Sequence, residues 1–579
     1  MNNIQKTLAV SLLSLSLSTC AFSKNAVYHH KNIHSVKKNK IAVKKLTYVK
    51  NKKNVVTPKH EVFIKNDDSI KTAITVNDGI TFDDLVALSK NPHPDGVLGY
   101  KLQKVLTTPI VDNTINPNPS SDEKYSTSIG DYIRVASWNI ERGLNLDNIK
   151  LLFSNDDELL KKVNPKANKI DVEKEANQLK QSDIIVMNEV DDGMPRTGYR
   201  NVAKELAETL HYNYAYAPEF LEVDPAHLGE EDCQWSEEKY LFPDKKYEVD
   251  KSKYKGLHGN AILSKYPLEN VRIVRLPAAY DWFQGERDKV TELETARREA
   301  AKVIFKEEML REIRQGGRMA IIADVVVPKT NQKITVVAAH IENRTTPARR
   351  LVQLKAILDD IKDVHNPVIF AGDFNTTISD GSPTSVKKEV LKRITDPEFI
   401  ARNAIMTMLP LSYVVNISSL TGNFVRKYTD PTVKNIPVIA PNKERSFFNT
   451  LRKFTFNDGY QFDFRGEKNR TRKGENGLIA QSNERQYKGF VPTYVFERPL
   501  VLGRYKLDWI FVKSFSEKST DDDQSFKLAP HFGSTLRALN YSFTPILSDH
   551  APITADLPLN EPPKHIKREK SIKTTKENK

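Results

Sequence analysis

Cysteine is nearly absent from this chain: among 579 residues only Cys20 and Cys233 occur. A disulfide framework within the chain is thereby excluded unless Cys20 is retained, and no cysteine spacing suits a thiolate zinc site. Long apolar runs are missing as well. The run from Leu8 to Leu17 falls well short of the roughly 20 residues a bilayer span requires, and no later stretch is long and apolar enough to replace it. A charge excess is also lacking where it would matter most. Of the formal +14, residues 24–75 hold +10, residues 561–579 hold +4 and Lys6 adds +1, which leaves −1 for residues 76–560. The basic character belongs to the tails, so it does not mark the body as a polyanion-binding domain.

What is present divides the chain into zones. Residues 1–23 read as an export signal, with Lys6 as the basic start, an apolar centre, and Ala21 and Ser23 placed for cleavage before Lys24. Leu17-Ser18-Thr19-Cys20 offers a second reading, lipoprotein processing at Cys20, but Thr19 is a poor residue at that position. Simple cleavage is favoured, and the product is expected in the periplasm or outside the cell. Residues 24–75, without glycine or periodicity, and residues 558–579 form basic tails suited to electrostatic contact with anionic polymers or an envelope. Residues 76–131 read as an extension of short helices, with an Asn- and Pro-rich linker over 113–128. The body spans 132–557. It contains an insert near 282–314, whose apolar positions from Val290 to Ile313 predict an amphipathic helix stopped by Gly316-Gly317, and a polar, turn-rich insert over 376–495.

Within the body, one stretch concentrates the chemistry. Pro367 to Phe370 is a buried-strand run, broken at Gly372 and followed by Asp373 and Asn375, which are two apart and so point the same way on an extended chain. Taken singly, this reads more readily as an Asx-turn leaving a strand. The theme repeats, however. Apolar strands carry Asn139 and Glu141, Glu189, His340, Asp508, and Asp549 with His550 at or near their ends. Six strands each delivering polar groups are not explained by folding alone. The ligand set is oxygen-rich and lacks thiolates, which points to Mg²⁺, Mn²⁺ or Ca²⁺ in preference to zinc.

In order and wording, the motifs SWNIERG, MNEV, GNAILS, AAHIEN, AGDFN, LDWIFV and LSDHAPI resemble those of the endonuclease/exonuclease/phosphatase superfamily over roughly residues 132–557. The resemblance implies an α/β fold: a four-layer α/β sandwich of two mixed, mostly antiparallel sheets packed face to face, with helices outside. It implies Glu189 as principal metal ligand, with Asn139 beside it and Glu141 and Asp549 as further metal groups. It implies Asp373 as the residue that positions or deprotonates water, and Asn375 as the amide stabilising the phosphorane-like state. His550 with Asp508 as its orienting carboxylate, and His340 as a second histidine, complete the set. Asn188 stands where many relatives have glutamine, and the two inserts have no counterpart in the minimal fold, so the substrate does not carry over. The leading expectation is a nuclease-type phosphodiesterase acting on nucleic acid. A phospholipid phosphodiesterase of the sphingomyelinase kind, a phosphomonoesterase on soluble phosphates and a catalytically dead binding module are the alternatives. In-line attack on a phosphoester needs a positioned water, a cation and donors that strengthen as charge develops. Either Asp373 or His550 could take the water's proton, and Asp373 is preferred because a histidine among carboxylates tends to stay charged.

Overall fold

The computed structural model describes residues 79–119, 124–126, 129–230, 249–287, 312–328, 331–376, 444–463, 482–486, 489–498, 501–516 and 526–559. The expected leader, both basic tails and most of the two inserts lie outside the described residues. These described residues belong to one compact unit.

Two sheets organise that unit. The larger contains β1 (Ile110–Asp112), β2 (Lys124–Ser126), β3 (Gly130–Arg142), β4 (Ile184–Asp192), β5 (Asn213–Glu222), β6 (Leu257–Ser264), β8 (Arg314–Gly316), β19 (His531–Thr535) and β20 (Ile553–Pro558). Its order is β1-β5-β6-β4-β3-β20-β19, with β2 on β3 and β8 on β5. The smaller contains β7 (Leu268–Arg275), β9 (Met319–Val327), β10 (Gln332–His340), β11 (Val368–Asp373) and β16 (Asp508–Lys513), in the order β16-β11-β10-β9-β7. Among the described residues, only β3 with β4 and β10 with β11 run parallel. Short antiparallel ribbons join β12 (Arg485–Gln486) to β13 (Gly489–Phe490), β14 (Tyr494–Arg498) to β15 (Val501–Tyr505), and β17 (Phe515–Ser516) to β18 (Phe526–Lys527).

Strand alternation explains the layering. On β3, Ile133 and Val135 turn inward against the second sheet, where Ile321, Val336 and Ile369 meet them. Ala136, Trp138 and Ile140 turn outward, and the helices Leu146–Ser154, Lys169–Lys180 and Val202–Leu210 cover them. On the far side, Val337, Ala339 and Phe370 are covered by the helix Pro347–Ile361 and by Phe447, Phe448 and Leu451 of the helix Arg445–Lys453. Helix, sheet, sheet, helix is the four-layer α/β sandwich expected.

The structure corrects several local readings. The helical reading of the 282–314 insert does not extend to its end, because Arg314–Gly316 is extended and pairs with Phe220–Glu222. Val290 to Leu310, the body of that expected helix, lies outside the described residues. The linker over 113–128 contributes a strand, Lys124–Ser126, paired with Gly130–Tyr132. Asn213–Glu222 forms one continuous strand although Pro218 lies within it.

Candidate active site

The parallel pairs β3/β4 and β10/β11 end at the same edge of the sandwich, and those ends deliver Asn139, Glu141, Glu189, His340 and Asp373. Gly372 is needed for the approach of β11. A Cβ there would lie 1.9 Å from the Ala339 carbonyl oxygen and 3.1 Å from Asn188 Oδ1. Asn188 then ties the two sheets, accepting the Asp373 N–H at 2.9 Å and donating to Asn260 Oδ1 at 2.9 Å and the Ala339 carbonyl at 3.2 Å.

Three β-bulges aim the acids. Between β3 and β4 the register passes from Asn139↔Asn188 to Arg142↔Val190, so Ile140 and Glu141 face one residue, Glu189. Between β4 and β6 it passes from Met187↔Ala261 to Val190↔Gly259, which sets Asn188 and Glu189 against Asn260. β5 gains Glu219 between Pro218↔Gly259 and Phe220↔His258. An extra residue breaks the in–out alternation and redirects its side chain. The backbone is strained accordingly: Glu141, Arg142, Glu189 and Asn375 have φ of 48°, 65°, 53° and 49°. Each such non-glycine residue costs roughly 1–3 kcal/mol.

Asp373 is the meeting point. Its Oδ2 accepts from Asn139 Nδ2 at 3.2 Å and lies 3.8 Å from His340 Nε2 and 3.9 Å from His550 Nε2. Its Oδ1 accepts the Asn375 N–H at 3.0 Å, and Asn375 Nδ2 donates to the Ile341 carbonyl at 3.0 Å. Asn139 Nδ2 also donates to Glu189 Oε1 at 3.1 Å, while Asn139 Oδ1 accepts the Glu141 N–H at 3.1 Å. Asp508, opposite Asp373 in the β11–β16 ladder, holds His550 Nδ1 at 2.8 Å from its Oδ2. Glu141 Oε2 accepts the Asp549 N–H at 3.1 Å. Every residue singled out in the sequence therefore reaches this one region. Ligand atoms of Glu189, His340 and Asp373 fall within 4.8 Å of one another, as do those of Asp373, Asp508 and His550.

The crowding of carboxylates shapes their protonation. Burial and the Asp549 charge push Glu141 up to about 8. Burial, with Glu189, Asp373 and Asp508 acting against His550, lifts Asp549 to about 6. Burial and Asp508 also raise Asp373. Burial alone would raise Glu189, yet the charges of His340, His258 and Arg142 and the Asn139 amide hold it down to about 2. His550 resists its burial because Asp508, Asp549 and Asp373 surround it, and it stays protonated well above the usual histidine range. Glu141 and Asp549 resist ionisation together, so this donor set fits a hard divalent cation, which would offset the repulsion.

Two residues were missed in the sequence. Glu219 and Arg318 hold His340 from behind. Arg318 Nη1 lies 2.7 Å from both His340 Nδ1 and Glu219 Oε2, and Glu219 Oε2 is 3.1 Å from the same ring nitrogen. The Arg318 guanidinium is buried between the Phe220 and Trp282 rings, 5.2 and 5.7 Å from their centroids. The available signals were an acid directly after Pro218 in an aromatic run, and an arginine opening the otherwise apolar strand Met319–Val327.

Among solved structures, the chain is similar to the catalytic domain of human Nocturnin with bound sulfate, at 15% identity and TM-score 0.33, covering 76% of this chain and 98% of that one. It is likewise similar to a 3'-5' exonuclease from Neisseria meningitidis, at 12% identity and TM-score 0.33, covering 73% and 99%. A third is an endonuclease/exonuclease/phosphatase from Beutenbergia cavernae, at 15% identity and TM-score 0.32, covering 74% and 72%. No curated protein sequence matches the chain. No helix among the described residues is long and apolar enough to cross a membrane. The sequence profile of the endonuclease/exonuclease/phosphatase family matches residues 136–550, from the middle of β3 to the second histidine of the site, and the chain therefore belongs to that family.

Proposed function

We propose that the protein is a divalent-metal-dependent phosphodiesterase of the nuclease type, exported to the periplasm or beyond, that cleaves nucleic acid by in-line attack of a water positioned at Asp373. The observation that carries this reading is the approach of both histidine Nε2 atoms, one from each side, to the same Asp373 oxygen at 3.8 and 3.9 Å. Those gaps exceed a direct hydrogen bond, so all three groups can address one oxygen set between them.

The residues divide the work. Asp373, made more basic by burial and by the Asp508 charge, takes the proton of the attacking water. His550, kept charged and oriented by Asp508, donates from Nε2 to a phosphoryl oxygen. His340 Nε2 is buried without a hydrogen-bond partner among the described residues, so it is free to donate to the leaving or phosphoryl oxygen. Asn375 has one amide N–H on Ile341 and a second for the equatorial oxygens as negative charge builds. Glu189, Glu141 and Asp549, with Asn139 beside them, would hold Mg²⁺, which when bound neutralises phosphate charge.

The test is purified protein with Mg²⁺ against plasmid DNA, RNA and sphingomyelin in parallel, with EDTA and Asp373→Ala controls. Nucleic acid is expected to be cleaved, EDTA to abolish cleavage, and the alanine variant to lose at least about 10³-fold in rate while keeping its fold. Activity surviving the alanine change sinks the mechanism. Cleavage of sphingomyelin alone overturns the substrate assignment.

A further inference from the structure

β16, which opens with Asp508, is the outermost strand of its sheet, so the backbone groups on its free edge need partners from outside the ladder. The Asp463 N–H serves the Val512 carbonyl at 2.7 Å, and two side chains serve the rest of the strand. Asn483 brackets Ile510, accepting its N–H at 3.0 Å and donating to its carbonyl at 2.7 Å. Thr493 serves the start of the strand, and its Oγ1 accepts the N–H groups of Leu507 at 3.1 Å and Asp508 at 3.2 Å.

Thr493 also reaches the segment that carries His550. Its carbonyl accepts the Ala551 N–H at 2.8 Å and the Tyr541 hydroxyl at 2.6 Å. The next residue, Tyr494, forms a β-bridge with His550 and sets its ring edge-on, 5.0 Å from the imidazole. Asp508 belongs to one sheet, whereas His550 lies on the approach to β20 in the other. No ladder fixes the distance between them. Thr493 is fully buried and bonded to both backbones.

The geometry points to Thr493 as a positioning residue that sets the separation of Asp508 from His550 and thereby the aim of His550 Nε2 at Asp373. Its kinetic consequence rests on the phosphodiesterase reading above; its structural consequence does not. Thr493→Val keeps the side-chain shape but leaves two backbone N–H groups without their acceptor, so the start of β16 is released. Thr493→Ser keeps the acceptor.

The experiment uses the full-length protein with Mg²⁺ and bis(4-nitrophenyl) phosphate as probe. Thr493→Val is expected to lower kcat by about 10- to 100-fold with KM nearly unchanged, because a small misplacement of a catalytic group acts on the transition state. Thr493→Ser is expected to restore kcat to within about threefold of the parent. In a His550→Gln background, Thr493→Val should add no further loss, since its effect passes through the imidazole. Proton NMR reads the same contact without turnover. The His550 Nδ1 proton shared with Asp508 is expected as a downfield resonance that His550→Gln removes, Thr493→Val shifts or broadens, and Thr493→Ser restores. If Thr493→Val does not fold, Tyr541→Phe, which removes one donor to the Thr493 carbonyl, is expected to move the resonance in the same sense. An undisturbed resonance in the folded variant overturns the assignment, as does an equal kinetic loss in the His550→Gln background. A parent protein inactive on the probe counts against the phosphodiesterase reading, and the resonance then decides the role of Thr493 by itself.

Discussion

His340 and His550 face one carboxylate oxygen from opposite sheets, and they are held in different ways. His550 gives its Nδ1 proton to Asp508, whose second oxygen has no hydrogen-bond partner among the described residues. Nothing positive shares that contact, so the ring stays charged. His340 meets a guanidinium at the same ring atom. Arg318 Nη1 lies 2.7 Å from His340 Nδ1, and Glu219 Oε2 lies 3.1 Å from the same atom. The same Nη1 reaches Glu219 at 2.7 Å. Two identical side chains thus turn Nε2 to the same carboxylate oxygen, one backed by a carboxylate alone and the other by a carboxylate and a guanidinium.

That contrast can be broken at either arm. The largest effect is expected from Asp508→Asn, which removes the charge that holds and orients His550. kcat should fall by about 10²- to 10⁴-fold, whereas Glu219→Gln, with Arg318 still beside His340, should cost about tenfold. Steady-state kinetics on both variants checks the ranking, and equal losses would erase the distinction between the arms. Next comes Arg318→Met. It takes the guanidinium from the buried Glu219, which keeps Asn260 at 3.1 Å and His340 at 3.1 Å, so stability should drop by about 3–5 kcal/mol, read from urea midpoints. A drop below about 1 kcal/mol would show that the His340 arm does not depend on this pair.

The smallest effect concerns the support behind His550. Glu175 accepts the Leu539 N–H at 2.8 Å, at the helix Arg537–Tyr541 that carries Tyr541 to Thr493. Burial, opposed by that N–H and aided by Glu484, raises Glu175 from 4.5 to about 7. The folded state therefore binds the proton more tightly than the unfolded chain does. Its contribution is complete below pH 4.5 and is lost as pH rises through about 7. Relative to Glu175→Gln, the parent should lose about 1–2 kcal/mol across that window, the figure being reduced for solvent screening. Denaturant titrations at several pH values would refute this if both proteins gave parallel curves.

The two arms also differ in how legible they were in the sequence. Asp508 and His550 sit beside clean apolar runs, Trp509 to Val512 and Ala551 to Ile553, so their strands and polar ends could be read from pattern. The same holds for Asp373 after Val368 to Phe370, and for most of the sandwich, because its strands are covered on both faces and read as near-continuous apolar runs. Glu219 lies one residue past Pro218, where a proline argues against a continuing strand, and its bulge defeats any alternation rule. Arg318 follows Gly316-Gly317, which read as the stop of a helix. Glu219 meets His340 from the other sheet and Arg318 from the start of the neighbouring strand β9, and neither tertiary contact leaves a local signature in the sequence.

The left-handed turns at Glu141, Arg142, Glu189 and Asn375 carry a further consequence. At these four positions the backbone favours glycine while the site needs a carboxylate, a guanidinium or an amide. Folding and chemistry thus rank the same substitutions in opposite order. A library screened for heat resistance would enrich small or flexible residues there and discard function without warning, whereas one screened for turnover would keep the strained residues and draw its stability from the sandwich interior.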